Sequence, residues 1–245
     1  PYLNNPIEHG ADVVVHSVTK WIGGHGVAVG GVVIDGGNFD WLKSGRFPTL
    51  TQPYEPFHGM NFWEEFGPAA LAMRIRCESM RDIGAAMAPH NAFLLLQGLE
   101  TLNLRMQQHV SNAQAMVTWL QQQDAVAWVN HPDINANAHT KLLFPKGAGS
   151  MLTFGVKGGR NAGAAFIDAL QLSSNLANVG DSRTLVLHPG STTHSRLSET
   201  DLVAAGIGAD LIRVSVGIEN LKDIQADFSL GLRAAAKVVA HQAEA

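Results

Sequence analysis

The apolar positions in the first part of the chain follow two different periods. Residues 12–16 place three consecutive valines between turn-forming neighbours, which predicts a buried strand of a parallel sheet. Residues 31–34 predict the next strand. After Pro89, apolar residues recur at helical spacing from residue 90 to about 123, with a polar interruption that indicates a bend. We expect a domain boundary at that bend, near Asn103.

Beyond this boundary, short strands and helices are mixed. Strands are predicted over residues 126–130, 150–156, 184–187 and 211–216, and helices over 160–170, 198–205 and 221 to about 241. Asn220 is placed to cap the last helix, and Ser198 with Asp201 resembles a capping box. The pattern predicts an α/β protein in which residues 104–245 form an α+β domain after a first domain over residues 1–103.

Residues able to carry chemistry follow the first predicted strand directly. Ser17, Thr19 and Lys20 stand where that strand ends, and a glycine-rich turn comes next. Open α/β folds bind ligands at the carboxyl edge of the sheet. A desolvated lysine amine is a Schiff-base nucleophile, and hydroxyls with glycine amides can hold a phosphate. A lysine imine beside a phosphate site points to pyridoxal phosphate (PLP).

Other interpretations of this segment exist. A P-loop would place its glycines before the lysine, and the dinucleotide-binding fingerprint needs a helix where residues 31–34 predict a strand. Both are therefore disfavoured. The remaining alternative is structural, with Lys20 extending from a strand end and the glycines forming a turn. The residues alone leave that alternative open.

Arg213 is a second candidate for a functional residue. It lies in an apolar predicted strand, where an arginine is rarely buried without a partner. The planar guanidinium suits a carboxylate bidentately. That carboxylate can belong to a ligand or to an internal salt bridge, and both remain open.

Charge and composition exclude several classes of protein. A net charge of -4 with scattered basic residues gives no footprint for nucleic acid. No apolar run has the length of a membrane span, and Cys77, the only cysteine, excludes an internal disulfide and fits a reducing cytoplasm. His188 and His194 lack the pairing of zinc ligands, so we expect no metal.

Several motifs resemble one known family. The run SVTKWIGGHG is similar to the lysine signature of the Cys/Met-metabolism family of PLP enzymes, with Val18 in place of the usual small residue. The runs GGVVIDGGNFDW, APHNAFLLLQGLETLNLRM, HPGSTTH and IRVSVGIEN fit the same family, so the resemblance covers essentially the whole chain. Within the family, the motifs are most similar to those of the O-acetylhomoserine sulfhydrylases.

The resemblance implies a fold and a set of site residues. Residues 1–103 would be the end of the large domain of an aspartate-aminotransferase-like, type I PLP fold, followed by the carboxyl-terminal α+β domain. Lys20 would carry the cofactor as a Schiff base, with Ser17 and Thr19 at its phosphate. Asn178 and Arg213 match family residues near the substrate α-carboxylate. Thr193 matches a third such residue less closely.

The implied activity is a γ-replacement in which sulfide or a thiol displaces acetate from O-acetylhomoserine, giving homocysteine or methionine. A methionine or cystathionine γ-lyase, or a γ-synthase, is an alternative within the family. An alternative of another class is a non-catalytic fragment, because Pro1 opens in a loop and we expect an amino-terminal half to complete the site. The resemblance also implies a homotetramer that acts on small-molecule partners. The charge, hydropathy and single cysteine favour a cytoplasmic protein with neither nucleic acid nor membrane as a partner.

Overall fold

The computed structural model describes residues 1–244, with side chains for all of these except 199, 243 and 244. It divides into two compact units. The first unit contains Pro1, Asn5–Thr19 and Val27–Gln97, and the second contains Tyr2–Asn4, Lys20–Gly26 and the chain from Gly98 onward. The domain limits expected at residues 103 and 104 stay a prediction.

The strands are β1 (Val13–Ser17), β2 (Gly31–Asp35), β3 (Val126–Asn130), β4 (Met151–Val156), β5 (Ser174–Asn175), β6 (Leu185–Leu187) and β7 (Leu211–Ser215). The α-helices are α1 (Trp41–Ser44), α2 (Pro48–Thr51), α3 (Phe62–Phe66), α4 (Ala70–Arg74), α5 (Arg81–Ile83), α6 (Pro89–Glu100), α7 (Leu102–Leu120), α8 (Ala138–Leu143), α9 (Gly159–Asp168), α10 (Glu199–Ala204) and α11 (Leu221–Glu244). A π-helical stretch, Ile75–Met80, joins α4 to α5.

Most predicted elements are confirmed. The four strands expected after residue 125 are β3, β4, β6 and β7, and the long helical stretch is α6 and α7, which are separated at Thr101. The caps are also as expected, since Ser198 accepts the backbone N–H of Asp201 and Asn220 accepts that of Lys222. β5 and α8 have no counterpart in the sequence prediction.

The sheet of the first unit differs from expectation. β1 and β2 form an antiparallel pair, in register from Val13 with Asp35 to Ser17 with Gly31. The prediction of a buried strand in a parallel sheet is therefore wrong for β1. Val15 is 71% exposed, because β2 is the only strand paired with β1 among the described residues.

An aromatic core stabilises the rest of the first unit. Phe62 is fully buried, and its ring centre lies 6.0 Å from that of Phe57. The Arg74 guanidinium carbon lies 3.7 Å from the centre of the Tyr54 ring, a cation–π contact, and Glu78 forms an ion pair with the same arginine. Arg74 thus joins α4 to the aromatic loop that precedes it.

The second unit contains a five-stranded sheet in the order β3-β4-β7-β6-β5. Paired strands are antiparallel except β5 and β6, which are parallel. One face of the sheet packs under α7, α9 and α11, where Phe154, Phe166 and Phe228 are fully buried with ring centres 5.4–6.2 Å apart. These rings and their aliphatic neighbours form the main core.

The opposite face of this sheet is polar where three strands adjoin. Asn130 of β3 pairs with Thr153 of β4, and Thr153 pairs with Arg213 of β7. Because side chains alternate along a strand and Phe154 and Ile212 belong to the core, Thr153 and Arg213 point away from it. The sheet therefore carries Arg213 on its face away from the helices.

Candidate functional site

Lys20 lies in a tight turn that begins just after β1. The backbone N–H of Gly24 donates to the carbonyl of Lys20 (2.7 Å), which closes the turn. Gly24 has a φ of +70°, a conformation that residues with a Cβ rarely adopt. The glycines of this segment therefore form the turn, and the side chain of Lys20 is half-buried within the second unit.

Asn178 connects the two candidate residues of this unit. Lys20 Nζ donates a hydrogen bond to the side-chain oxygen of Asn178. The backbone carbonyl of Asn178 accepts a longer hydrogen bond from Arg213 Nη2 (3.4 Å). Lys20 and Arg213, which are far apart in sequence, are thus both hydrogen-bonded to the predicted site residue Asn178.

The segment after Asn178 packs against the lysine turn. A Cβ at Gly180 would lie 2.6 Å from the backbone nitrogen of Trp21, so no larger residue fits. Gly180 N–H donates to Ser215 Oγ (3.0 Å), and the indole N–H of Trp21 donates to Ser150 Oγ (3.2 Å). Both sides of the Lys20–Asn178 contact are therefore held in place.

Arg213 has no carboxylate within ion-pair distance among the side chains that are described. It lines a cavity of about 260 Å³ with Thr153 and His131. His131 is buried, its Nδ1 accepts the backbone N–H of Asp133 (3.2 Å), and its Nε2 has no partner in the described structure. No carboxylate lines this cavity, and the internal salt bridge considered for Arg213 is not observed among the described side chains.

The two hydroxyls predicted at a phosphate differ in their surroundings within the first unit. Ser17 is exposed, and its hydroxyl makes no hydrogen bond to the described residues. Thr19 Oγ1 donates to the carbonyl of Gly30 (3.2 Å) and accepts its N–H (3.0 Å). The exposed Ser17 hydroxyl is therefore available to a phosphate, as the family resemblance predicts for it. Thr19 would have to release Gly30 before its hydroxyl could donate to a phosphate.

Thr193 is not joined to the other predicted site residues by any described contact. It is exposed, and its hydroxyl contacts Nδ1 of His194 (2.9 Å). The loop before it is anchored by His188, whose Nδ1 contacts Ser191 Oγ (2.8 Å) and whose Nε2 contacts the carbonyl of Ala209 (2.9 Å). Burial lowers the pKa of His188, so this histidine is neutral at pH 7 and structural.

Arg105 of α7 also reaches the lysine turn, and the sequence prediction missed it. Its guanidinium donates to the carbonyls of Trp21 (2.8 Å) and Ile22 (3.1 Å). Burial lowers the pKa of Arg105. One signal was available, because Arg105 occurs between Leu102 and Met106 on the apolar face of a predicted helix, where an arginine is unexpected.

No three His, Cys, Asp or Glu residues are grouped to hold a metal ion in the part of the chain that is described. No described helix is both long enough and apolar enough to span a membrane. Cys77 is a free, partly buried thiol.

A PLP enzyme is the class of protein that the fold and the lysine turn indicate, and the sequence matches one family of this class over nearly its whole length. Residues 1–233 match the family described as Cys/Met metabolism PLP-dependent enzymes. The chain belongs to this family. The resemblance of the lysine motif is thereby confirmed, together with the type I fold.

Individual relatives agree with this assignment. A sulfhydrylase of Gibberella moniliformis is 49% identical over 231 residues, which is 93% of this chain and 53% of that protein. The homocysteine synthase of Schizosaccharomyces pombe is 49% identical over 238 residues, 96% of this chain and 56% of that protein. The chain spans about half the length of these curated relatives.

A solved structure is also similar. It is described as an O-acetylhomoserine (thiol)-lyase of Campylobacter jejuni and contains a pyridoxyl-lysine monophosphate. The match has a TM-score of 0.87 and 38% sequence identity, and it covers 95% of this chain and 56% of that one.

Proposed function

We propose that this chain takes part in a PLP-dependent γ-replacement, in which sulfide or a thiol displaces acetate from O-acetylhomoserine and gives homocysteine or methionine. The observation that carries the proposal is the contact of Asn178 with both Lys20 and Arg213. A lysine amine, and a guanidinium that no described carboxylate pairs with, are the groups needed to attach PLP and to bind an amino acid. The names of the relatives support this choice of reaction.

The roles of the residues follow from their chemistry. PLP, when bound, withdraws electrons from the amino acid and allows protons to leave Cα and Cβ. Arg213 would bind the α-carboxylate through two parallel hydrogen bonds, and Asn178 would keep Lys20 Nζ next to it. Lys20 would then accept the Cα proton and would remove and later return a proton at Cβ. The Cγ–oxygen bond breaks as acetate leaves, and sulfur forms the new bond at Cγ.

Three alternatives predict different outcomes. A γ-lyase of this family would release a 2-oxo acid and ammonia, and a γ-synthase would accept cysteine as the thiol. A non-catalytic fragment would neither attach PLP nor form a product. The sulfhydrylase and homocysteine synthase relatives favour replacement with sulfide over all three.

We also propose that the protein acts as a homotetramer in a reducing cytoplasm. Cys77 is the only cysteine in the sequence and is a free thiol, which supports a reducing compartment. The tetramer is supported by the family resemblance, and analytical ultracentrifugation would test it.

Borohydride reduction tests the role of Lys20. The purified protein is mixed with PLP, reduced and digested, and the mass of each lysine-containing peptide is measured. We expect a pyridoxyl group on the Lys20 peptide and none after Lys20→Ala. Lys141→Ala, which removes an exposed lysine of α8, is the matched control and should keep the label. A label confined to another lysine would contradict the assignment.

Product analysis separates the candidate reactions. The protein is incubated with PLP, O-acetylhomoserine and sulfide, and homocysteine, acetate and 2-oxobutyrate are quantified. Homocysteine and acetate in equal amounts would support the replacement. 2-Oxobutyrate would identify a lyase, whereas the absence of both label and product would identify a non-catalytic chain.

A further inference from the structure

Three polar side chains of α7 are buried on one side of the helix. Arg105, His109 and Asn112 recur at spacings that place them on a common face. They are 5%, 0% and 2% exposed. We call these residues the α7 polar row. Polar groups buried this deeply require partners, and the row finds them mainly among backbone carbonyls of two distant segments.

Arg105 binds the lysine turn. Its guanidinium donates to the carbonyls of Trp21 (2.8 Å) and Ile22 (3.1 Å), and also to that of Gly98 in the last turn of α6 (2.6 Å). The approach is close, since a Cβ at Gly24 would lie 2.1 Å from Arg105 Nη1. The turn that carries Lys20 is therefore shaped around this side chain.

His109 and Asn112 bind the backbone that follows β7. His109 Nδ1 contacts the carbonyl of Val216 (2.7 Å), and because burial lowers the pKa of His109, the ring is neutral and donates through Nδ1–H. The Asn112 amide donates to the carbonyls of Gly217 (3.1 Å) and Glu219 (2.9 Å). Two side chains of the row thus hold the end of the strand that carries Arg213.

The two segments held by the row adjoin the proposed site. Trp21 directly follows Lys20, and Val216 comes shortly after Arg213. We propose that the α7 polar row positions the lysine turn and the end of β7 relative to each other, so that Lys20 and Arg213 keep a fixed separation. The consequence for catalysis rests on the proposed function, whereas the positioning can be measured without the cofactor.

Capping of the α6 carboxyl end alone does not explain the hydrogen bonds of the buried Arg105 guanidinium. A single donor would satisfy the Gly98 carbonyl, but Nη1 and a second bond of Nη2 go to the lysine turn. No carboxylate pairs with Arg105 among the described side chains, so these carbonyls are what offsets the burial of its charge. An apolar residue would avoid that cost but would leave the carbonyls of the turn without donors.

Hydrogen exchange on the intact protein tests the positioning. Arg105→Lys keeps the charge but replaces the planar fork with a single ammonium group. The matched control is Asp227→Asn in the same unit, because Asp227 is also buried and also binds three backbone groups, the N–H groups of residues 171–173. Exchange is followed at the Gly24 amide, which bonds to Lys20, and at the Ser173 amide, which bonds to Asp227.

The two variants should affect opposite amides. We expect Arg105→Lys to speed exchange at Gly24 by about tenfold and to leave Ser173 unchanged, with the reverse pattern for Asp227→Asn. Unchanged exchange at Gly24, or an equal increase at both amides in Arg105→Lys, would overturn the proposal in favour of a general structural role. This result does not depend on whether PLP binds.

Cofactor attachment and kinetics then separate this proposal from the proposed function. In borohydride labelling, the Arg105→Lys variant should attach PLP to Lys20 more slowly than the Asp227→Asn variant. Its kcat should also fall by about 100-fold, the effect expected when the reacting lysine is displaced by about 1 Å. Asn112→Ala should raise KM for the amino acid more than it lowers kcat.

If the wild-type chain takes no label but the exchange pattern holds, the proposed function fails while the positioning stands. If labelling is normal in Arg105→Lys, the catalytic consequence is wrong.

Discussion

The valines of β1 and the one valine of β7 lie in predicted strands, yet their surroundings are opposite. Val15 in the first unit is 71% exposed, whereas Val214 in the second unit is fully buried. β7 pairs with a strand on each side and packs under helices, while β1 pairs with β2 alone in the described structure. An apolar run therefore predicts a strand, but its burial depends on which elements cover it.

The same contrast applies to the polar groups. In the first unit, Ser17 at the end of β1 is exposed and its hydroxyl makes no described hydrogen bond. In the second unit, Arg105, His109 and Asn112 are buried and bind backbone carbonyls. Substitutions should therefore be costly and specific in the second unit and mild in the sheet of the first.

The largest effect is expected from Phe228→Ala. The Phe228 ring is fully buried against Phe154 and Phe166, with centres 6.2 and 5.4 Å away, so truncation leaves a cavity in the main core. We expect the free energy of unfolding to fall by about 4 kcal/mol. Urea denaturation followed by circular dichroism measures this. A loss below about 1 kcal/mol would show that the second unit is not better packed than the first.

A smaller effect is expected from Gly98→Ala. The added Cβ would lie 2.2 Å from the carbonyl oxygen of Gly23, and backbone atoms of the lysine turn cannot easily yield. We expect a loss of about 2–3 kcal/mol in thermal unfolding. Gly30→Ala is the control in the first unit, because its Cβ would meet the flexible end of Met87 at 2.6 Å and the side chain of Val18. Equal costs would remove the distinction between the two positions.

Asp227→Asn should lower the free energy of unfolding by about 2 kcal/mol at pH 7, and the size of this loss should depend on pH. Burial alone would raise the pKa of Asp227, but hydrogen bonds from residues 171–173 hold it below its ordinary value. The charged form therefore stabilises the folded state above the ordinary carboxyl range, and this contribution is lost as the pH falls through the folded pKa. The difference between wild type and variant should shrink below about pH 4. A difference in unfolding free energy that stays constant down to pH 3 would contradict a stabilising role of the charged Asp227.

The smallest effect is expected from Val15→Thr in β1. Its side chain is exposed and the new hydroxyl remains in water, so the change in unfolding free energy should stay within about 0.5 kcal/mol. Val214→Thr is the matched substitution in β7, where a buried hydroxyl without a partner should cost about 1–3 kcal/mol. Similar results at both positions would mean that β1 is covered in solution.

Much of the fold follows from local sequence, and the exceptions have physical causes. Helical spacing predicts α7, α9 and α11, and β-branched runs predict β4 and β7, because periodicity is a local property. β5 has only two residues and no period to detect. The antiparallel partner and the exposure of β1 depend on its neighbours in space, which its own residues do not specify.

The site could be predicted only in part. Lys20 and Arg213 were singled out because an amine after a strand and a guanidinium within one are chemically unusual, and Asn178 was singled out through the family resemblance. Their contacts are observed, whereas their roles stay predictions. Arg105 was missed because the carbonyl that explains its burial lies 84 residues away in sequence. The engagement of the Thr19 hydroxyl by Gly30 is likewise a property of the folded turn, not of the motif.

The position of Trp21 has a practical consequence for spectroscopy. The chain has five tryptophans, but only Trp21 adjoins Lys20 in sequence, and its indole N–H is bound to Ser150. Indole emission responds to the polarity of its surroundings, so a protein in which the other four are replaced by phenylalanine would report on this turn by fluorescence alone. The kinetics of ligand entry could then be followed in a stopped-flow instrument without any added dye.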